Sequence, residues 1–528
     1  MPAFRSVAAV VALLVGLGAQ GTAQAQGALL DAAKANDTAR ALTAIDEGAD
    51  VKALAADGTT ALHYAVYHDN LPLIERLIAK GADAKGANEF GSTPLIEAAT
   101  VGNATVIAKL LDAGADVESA SADAETALMV AARSSNVPAV KLLLERGANP
   151  NASELWRQQT ALMWAAAQSQ PAMVKLLIEH GAEVDARSIE NKWPRQVSGE
   201  PRRMYRPAGG LTPLLFAARE GCLDCARALV EAGANIDLPD PKNVTPLYLA
   251  IDNFHFDLAK YLIEKGANVN KWDWWGRTPL YAAVDVNTLP HGGRSDRLST
   301  DATPSVEIIE LLLAKGANPN VQLKLGVAPY RNIGDDRGCD TMLTIGATPL
   351  LRAAKTFDTA AMKLLIAHKA RLDLPNISGV APVMAAAGYG SVECDPRGYG
   401  PGIPHYVTPD VEQKSIEALR VLLDAGANVN QRTTADRGRD NGRGATALFG
   451  AAFWGWSDVL KFLVERGAQI DVADAHGLTP VDAALGKAGG HGRGQTTEVY
   501  KDTAELIGEL CKQRSGCNLA KAAGPPTS

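Results

Sequence analysis

A repeated spacing limits what this chain can fold into more than any other feature. The pattern T-[PA]-L begins at Thr60, Thr93, Thr126, Thr160, Thr212, Thr245, Thr278, Thr348 and Thr446, with looser copies at Ala381 (APVM) and Thr479 (TPVD). Several successive starts are 33 residues apart: 60 to 93, 93 to 126, 212 to 245, 245 to 278, 348 to 381 and 446 to 479. A second signature, GADVK, GANPN, GANVN and their variants, follows each start. A period of this length describes a unit too small to bury its own apolar faces, so neighbours must stack.

Each unit can be read physically. Thr caps a helix, because its hydroxyl accepts from amides that have no partner in the first turn. Pro loses nothing at the first helical position. Leu and the small Ala pair after it allow close packing of a short inner helix. A second helix such as LIERLIAK or VKLLLER has apolar residues at helical spacing. It ends at a Gly that can take the left-handed conformation, and a polar segment turns back toward the next Thr.

These motifs resemble the ankyrin repeat family, whose signature is T-P-L-H-x-A; TALHYAV at residues 60–66 is the nearest copy. The resemblance covers most of the chain after residue 27. It implies an all-α solenoid of about twelve helix-turn-helix repeats with short hairpin tips. LLDAAKANDTARALTAIDEGAD reads as the N-terminal cap, and TAELIGELCKQ (residues 503–513) closes the other end. The array is placed at 27–515, with a tail at 516–528.

Some spacings break the period by many residues: 52 from Thr160 to Thr212, 70 from Thr278 to Thr348, and 65 from Ala381 to Thr446. The surplus at 189–209, 323–345 and 431–443 follows a GA[DN]-type signature and extends the hairpin side. The surplus at 285–304 and 388–411 lies between the two helices of one repeat and extends the opposite rim. All are rich in Gly, Pro or charge and read as loops. The insertion at 189–209 has a net charge of +3, with Arg202, Arg203 and Arg206 beside Trp193. It reads either as a salt-bridging loop or as a site for an acidic partner or an anionic surface polymer.

The first 25 residues form a separate segment. Arg5, the apolar run VAAVVALLVGLGA and AQA at residues 23–25 make a secretory leader cut after Ala25. The apolar run is short against the ~20 residues a spanning helix needs. Without Arg5, 51 basic and 59 acidic residues remain, a net charge of −8 that disfavours a general nucleic-acid binder. The mature chain is expected to be exported, periplasmic or secreted, and not inserted in the membrane. Export allows the six cysteines to pair. Cys511 and Cys517 are close enough for a local bridge, Cys222 and Cys225 form CxxC, and Cys339 and Cys394 remain as a third candidate pair.

Three of the eight tryptophans fall in WDWWGRTPL, residues 272–280. In the family the hairpin tip reads x-D-x-x-G-x-T-P-L. Asp273, Gly276, Thr278, Pro279 and Leu280 match the fixed positions. Trp272, Trp274, Trp275 and Arg277 occupy the variable ones, which the resemblance implies contact partners. Trp and Arg are also enriched at binding hot spots. Two readings stay open: a docking site, or a satellite core in which Trp193 and Tyr205 stack on the tip. Trp164 and Phe216 read as core. Trp454 and Trp456 flank the turn after an inner helix and read either as a second aromatic contact or as a cover for the last hairpins.

No catalytic constellation is present in the sequence: no HExxH, GxSxG, P-loop or EF-hand loop occurs. The one redox candidate is CLDC at 222–225, where a helix N-terminus would acidify a thiol. Against it, Cys225 holds a position usually filled by a buried Val or Ile. The expectation is an exported bacterial interaction scaffold, not an enzyme, without cofactor or metal, that binds another protein through a concave face, hairpin tips and insertions.

Overall fold

In the computed structural model, residues 27–191, 209–287, 299–324, 345–390, 410–434, 443–487 and 499–519 are described. They form helix pairs joined by tight turns, and no strand longer than an isolated bridge occurs among them. The chain divides into two compact units.

The first unit holds six pairs. A helix at 27–34 pairs with Thr38–Asp46, and five further pairs begin at Ala61, Pro94, Ala127, Ala161 and Pro213. Inner helices pack on inner helices, 61–67 on 94–101, then 127–133, 161–167 and 213–220. The Ala pairs make this approach possible: Ala98, Ala99, Ala131, Ala132, Ala165 and Ala166 have no accessible surface. Outer helices supply the larger apolar layer, with Leu73, Ile74 and Leu77 in one repeat and Val106, Ile107 and Leu110 in the next.

The second unit also holds six pairs, whose inner helices start at Pro246, Pro279, Pro349, Pro382, Ala447 and Pro480. The twelve expected repeats are therefore present, and the all-α reading holds. Thr60, Thr93, Thr126, Thr160, Thr212, Thr245, Thr278, Thr348 and Thr479 each accept the amide three residues on. Thr446 caps without this bond. Glycines with φ near +90° close most outer helices, Gly81, Gly147 and Gly266 among them; in the repeat after Thr348 Lys369 takes that conformation instead.

The insertions differ in detail from the sequence reading. Helix Pro279–Asn287 runs through Asp285, so residues 285–287 are helical rather than loop. The reason is a buried ion pair: Asp285 meets Arg352 of the next inner helix at 2.5 Å. The three hairpin-side insertions have closed stems. Gly210 N donates to Ile189 O, Gly346 N to Leu323 O and Gly444 N to Thr433 O. Residues 192–208, 325–344 and 435–442 of these insertions, among them Trp193, Arg202, Arg203, Arg206 and Tyr205, lie outside the described residues.

Candidate functional site

The hairpin tips are built on one local rule. A residue with a short side-chain acceptor, here called the anchor, accepts the amides two and four positions on. Asn88, Asp240, Asp273, Asn376 and Asp474 all do so through one Oδ1. Ser121 does it through Oγ. The third residue after the anchor has positive φ, as at Gly91, Asn243, Gly276 and Gly379, which is the left-handed residue of a three-residue hairpin loop. At Gly276 a Cβ would lie 2.8 Å from the backbone of Lys324, so the close approach of the next arm also requires glycine. The residue after the anchor then donates to the preceding tip, as in Glu89 to Asp57, Leu155 to Asp123 and Trp274 to Lys242, at 2.9 Å each. The backbone that carries the tip side chains is thereby ordered.

In the tip at 272–278 this rule sorts the four candidates. Trp272 and Trp274 face outward, Trp274 with 63% of its surface exposed. Lys324 Nζ sits 3.2 Å from the Trp272 ring centre. Trp275 is half-buried, with Lys242 and Arg277 over its ring at 5.4 and 5.0 Å. Arg277 departs from the expectation of a surface contact. It is 5% exposed, and its guanidinium meets Asp273, itself 1% exposed, at 2.6 Å. A carboxylate this deep draws the cation inward, because an unpaired buried charge is costly. Burial is the dominant influence on Asp273 and holds its carboxyl above the usual range, Arg277 and the amides opposing it.

Trp454 and Trp456 are likewise buried and are not surface contacts. Their rings stack at 6.3 Å, and Trp454 Nε1 donates to Gly388 O at 2.9 Å. A Cβ on Gly388 would fall 2.8 Å from both rings, so the chain after the shortened inner helix Pro382–Ala386 lies flat on them. They cover a turn rather than await a partner. Phe216 is core as expected, whereas Trp164 is only half-buried, with the Arg133 guanidinium 5.6 Å from its ring.

Among the described residues two bridges join cysteines: Cys222 bonds Cys225 across the first turn of helix Leu223–Glu231, and Cys511, in the last helix Lys501–Lys512, bonds Cys517 beyond its end. Cys225 is inaccessible and Cys222 nearly so. Cys339 and Cys394 lie outside the described residues. Among the described residues, no group of three or more His, Cys, Asp or Glu side chains could hold a metal ion, and no helix is long and apolar enough to cross a membrane.

Sequence reading missed the most exposed aromatics among the described residues. Phe90 and Trp156 are 70% and 74% exposed, on tips of the first unit. The available signal was the 34-residue spacing from Thr126 to Thr160, one more than the period. The extra residue lies in the tip at 154–160. There the anchor is Glu154 instead of Asp, and its longer side chain reaches the amides of Trp156, Arg157 and Gln159 at 2.6, 2.9 and 3.0 Å. Trp156 Nε1 donates to Asp123 of the neighbouring tip at 2.7 Å, fixing the indole without burying it.

Thr-capped helix pairs with hydrogen-bonded tips define a helical repeat scaffold that presents side chains from ordered turns. The chain belongs to the ankyrin repeat family. The family profile described as "Ankyrin repeats (3 copies)" matches residues 29–121, 118–188, 197–273 and 214–323, and the single "Ankyrin repeat" profile matches 443–475. Mouse Rabankyrin-5 is 32% identical over 100 residues, 17% of this chain and 9% of that protein. The chain thus aligns with only a small part of that relative's length.

Proposed function

We propose that this chain is a non-enzymatic scaffold of the bacterial cell envelope that binds another protein through its hairpin tips. Ankyrin repeats serve in general as protein-binding scaffolds. The observation that carries the reading here is the pair of exposed indoles, Trp272 and Trp274, on a turn locked by the buried Asp273–Arg277 pair. An indole held in place loses little freedom on binding, so more of its contact energy is kept. The leader at residues 1–25 supports the envelope location. The thiol–disulfide alternative is weaker, because an attacking thiolate must reach a sulfur and both Cys222 and Cys225 are buried. Binding of an anionic polymer would rest on the basic insertion that holds Arg202, Arg203 and Arg206.

The test is affinity capture from periplasmic extract by the mature protein and by a Trp272→Ala, Trp274→Ala variant. Trp275 is left intact because it is half-buried. With melting matched, a protein retained by the wild type and lost by the variant supports the reading. Identical captured sets would overturn it.

A further inference from the structure

We infer that the first unit carries a second docking surface, a ridge of four hairpin tips that takes an extended basic polypeptide segment bearing apolar side chains. It rests on the scaffold reading but uses a different surface, with none of the residues of the 272–278 tip.

The ridge is continuous. Glu89 N donates to Asp57 O at 2.9 Å and ties the first tip to the second. Gly91 lies so close to the third that a Cβ there would fall 2.5 Å from Ala122 N. Leu155 N to Asp123 O ties the third to the fourth. Leu54, Phe90, Leu155 and Trp156 project from these tips and are the large apolar side chains left uncovered along them. Scattered exposed apolar residues need no explanation. Phe90 and Trp156 hold one equivalent place, the second residue after the anchor, on tips two repeats apart, and Trp156 is fixed by a hydrogen bond from its own indole; that recurrence does.

Charge selects the occupant. The arms at 50–58, 83–92, 116–125, 149–159 and 183–190 carry twelve carboxylates against four cations. Most of the twelve accept hydrogen bonds within the fold and keep their charge there: Glu154 builds its turn, Asp123 takes the Trp156 indole, and Asp50, Asp83, Asp116 and Asp185 take backbone amides, while Glu125 pairs with Arg133 at 2.5 Å. Glu89, beside Phe90, and Glu183 point to solvent. An acidic ridge punctuated by apolar anchors complements a chain rich in Lys or Arg with apolar residues between them. Spacing narrows the match further. Helices stack at about 8–10 Å, so Phe90 and Trp156, two repeats apart, are separated by about 18 Å, or roughly five to six residues of extended chain.

A random 12-residue peptide library displayed on phage, panned on the mature protein at low salt, tests this. The surface predicts enrichment of net-positive peptides with apolar residues about five or six apart. Synthetic copies should lose about tenfold or more in affinity to a Phe90→Ser, Leu155→Ser, Trp156→Ser variant. They should lose a similar factor to a Glu89→Lys, Glu183→Lys variant, and should weaken as salt is raised. All five substituted residues are exposed, so both variants should melt with the wild type. The Trp272→Ala, Trp274→Ala variant should bind these peptides unchanged, which separates failure of this surface from failure of the other. Enrichment of neutral or acidic peptides, no enrichment at all, or selected peptides indifferent to both variants would overturn the inference.

Discussion

Replacing Arg277 by Leu should cost about 3 kcal/mol of stability in the second unit. The guanidinium supplies both partners of Asp273 Oδ2, Nε at 2.7 Å and a terminal nitrogen at 2.6 Å. Breaking a buried pair on one side costs about 3–5 kcal/mol, since the remaining charge is left uncompensated. The low end applies because Oδ1 keeps the amides of Trp275 and residue 277. Lost stacking of the guanidinium on Tyr248 and Trp275, at 4.8 and 5.0 Å, adds about 0.5–1 kcal/mol each, and the apolar contacts of Leu offset much of it. The chain contains a neutral version of the same turn, in which Asn376 is the anchor and Val380 stands where Arg277 does. Asp273→Asn with Arg277→Leu should therefore return to within about 1 kcal/mol of the wild type. Urea unfolding followed by circular dichroism and tryptophan fluorescence would measure both, the first transition of the stack being the sensitive one. The pH dependence has a definite sign. The folded state holds the Asp273 proton more tightly than the unfolded chain, whose value is near 3.8. The stability that Asp273 contributes therefore falls as pH rises from 3.8 through the folded value. Loss of Arg277 pushes that value higher, so the cost of Arg277→Leu should shrink as the solution is acidified. A loss under about 1 kcal/mol, or a double variant as unstable as the single one, would refute the reasoning.

Two further outcomes follow from the tips and caps. Glu154→Asp should destabilise the first unit by about 1–2 kcal/mol, because a side chain one methylene shorter cannot reach all three amides; deleting Gln158 in the same variant restores the 33-residue spacing and should recover most of the loss in urea melts. Burial holds the His63 imidazole below the usual 6.5, with the Ser92 carbonyl opposing it; Nδ1 accepts from Thr60 and Nε2 donates to Ser92 O at 3.1 Å. The His63 contribution is therefore complete above 6.5 and lost as pH falls through the folded value, so the stability gap between the wild type and His63→Gln should narrow from about pH 7 to pH 5.

The repeats were legible because backbone chemistry fixes them. Thr needs an N3 amide, Gly a left-handed φ, and Ala a close neighbour, and each leaves a letter at a set interval. What the variable letters do was less legible, because direction at those positions depends on the partners available. Arg277 looks like a surface residue until Asp273 is seen to be 1% exposed beneath it. Trp454 and Trp456 resemble contacts until the chain at Gly388 is laid across them. Phe90 sits in an ordinary tip with no periodic signal of its own, and Trp156 sits in a tip that lacks the D-x-x-G pattern. Asp285 reads as loop because its partner, Arg352, is 67 residues away.

The pairing of a longer tip with a longer anchor has a consequence for how such arrays diversify. Thr160 still caps its helix through Met163 N, and inner helix 161–167 still packs on 127–133. The added residue is absorbed before it reaches the helices. A one-letter insertion, ordinarily a frame error for a periodic structure, is here corrected by one carbon atom in a side chain. Novelty at the tips can thus accumulate in single-residue steps, and the register of every later repeat is inherited unchanged.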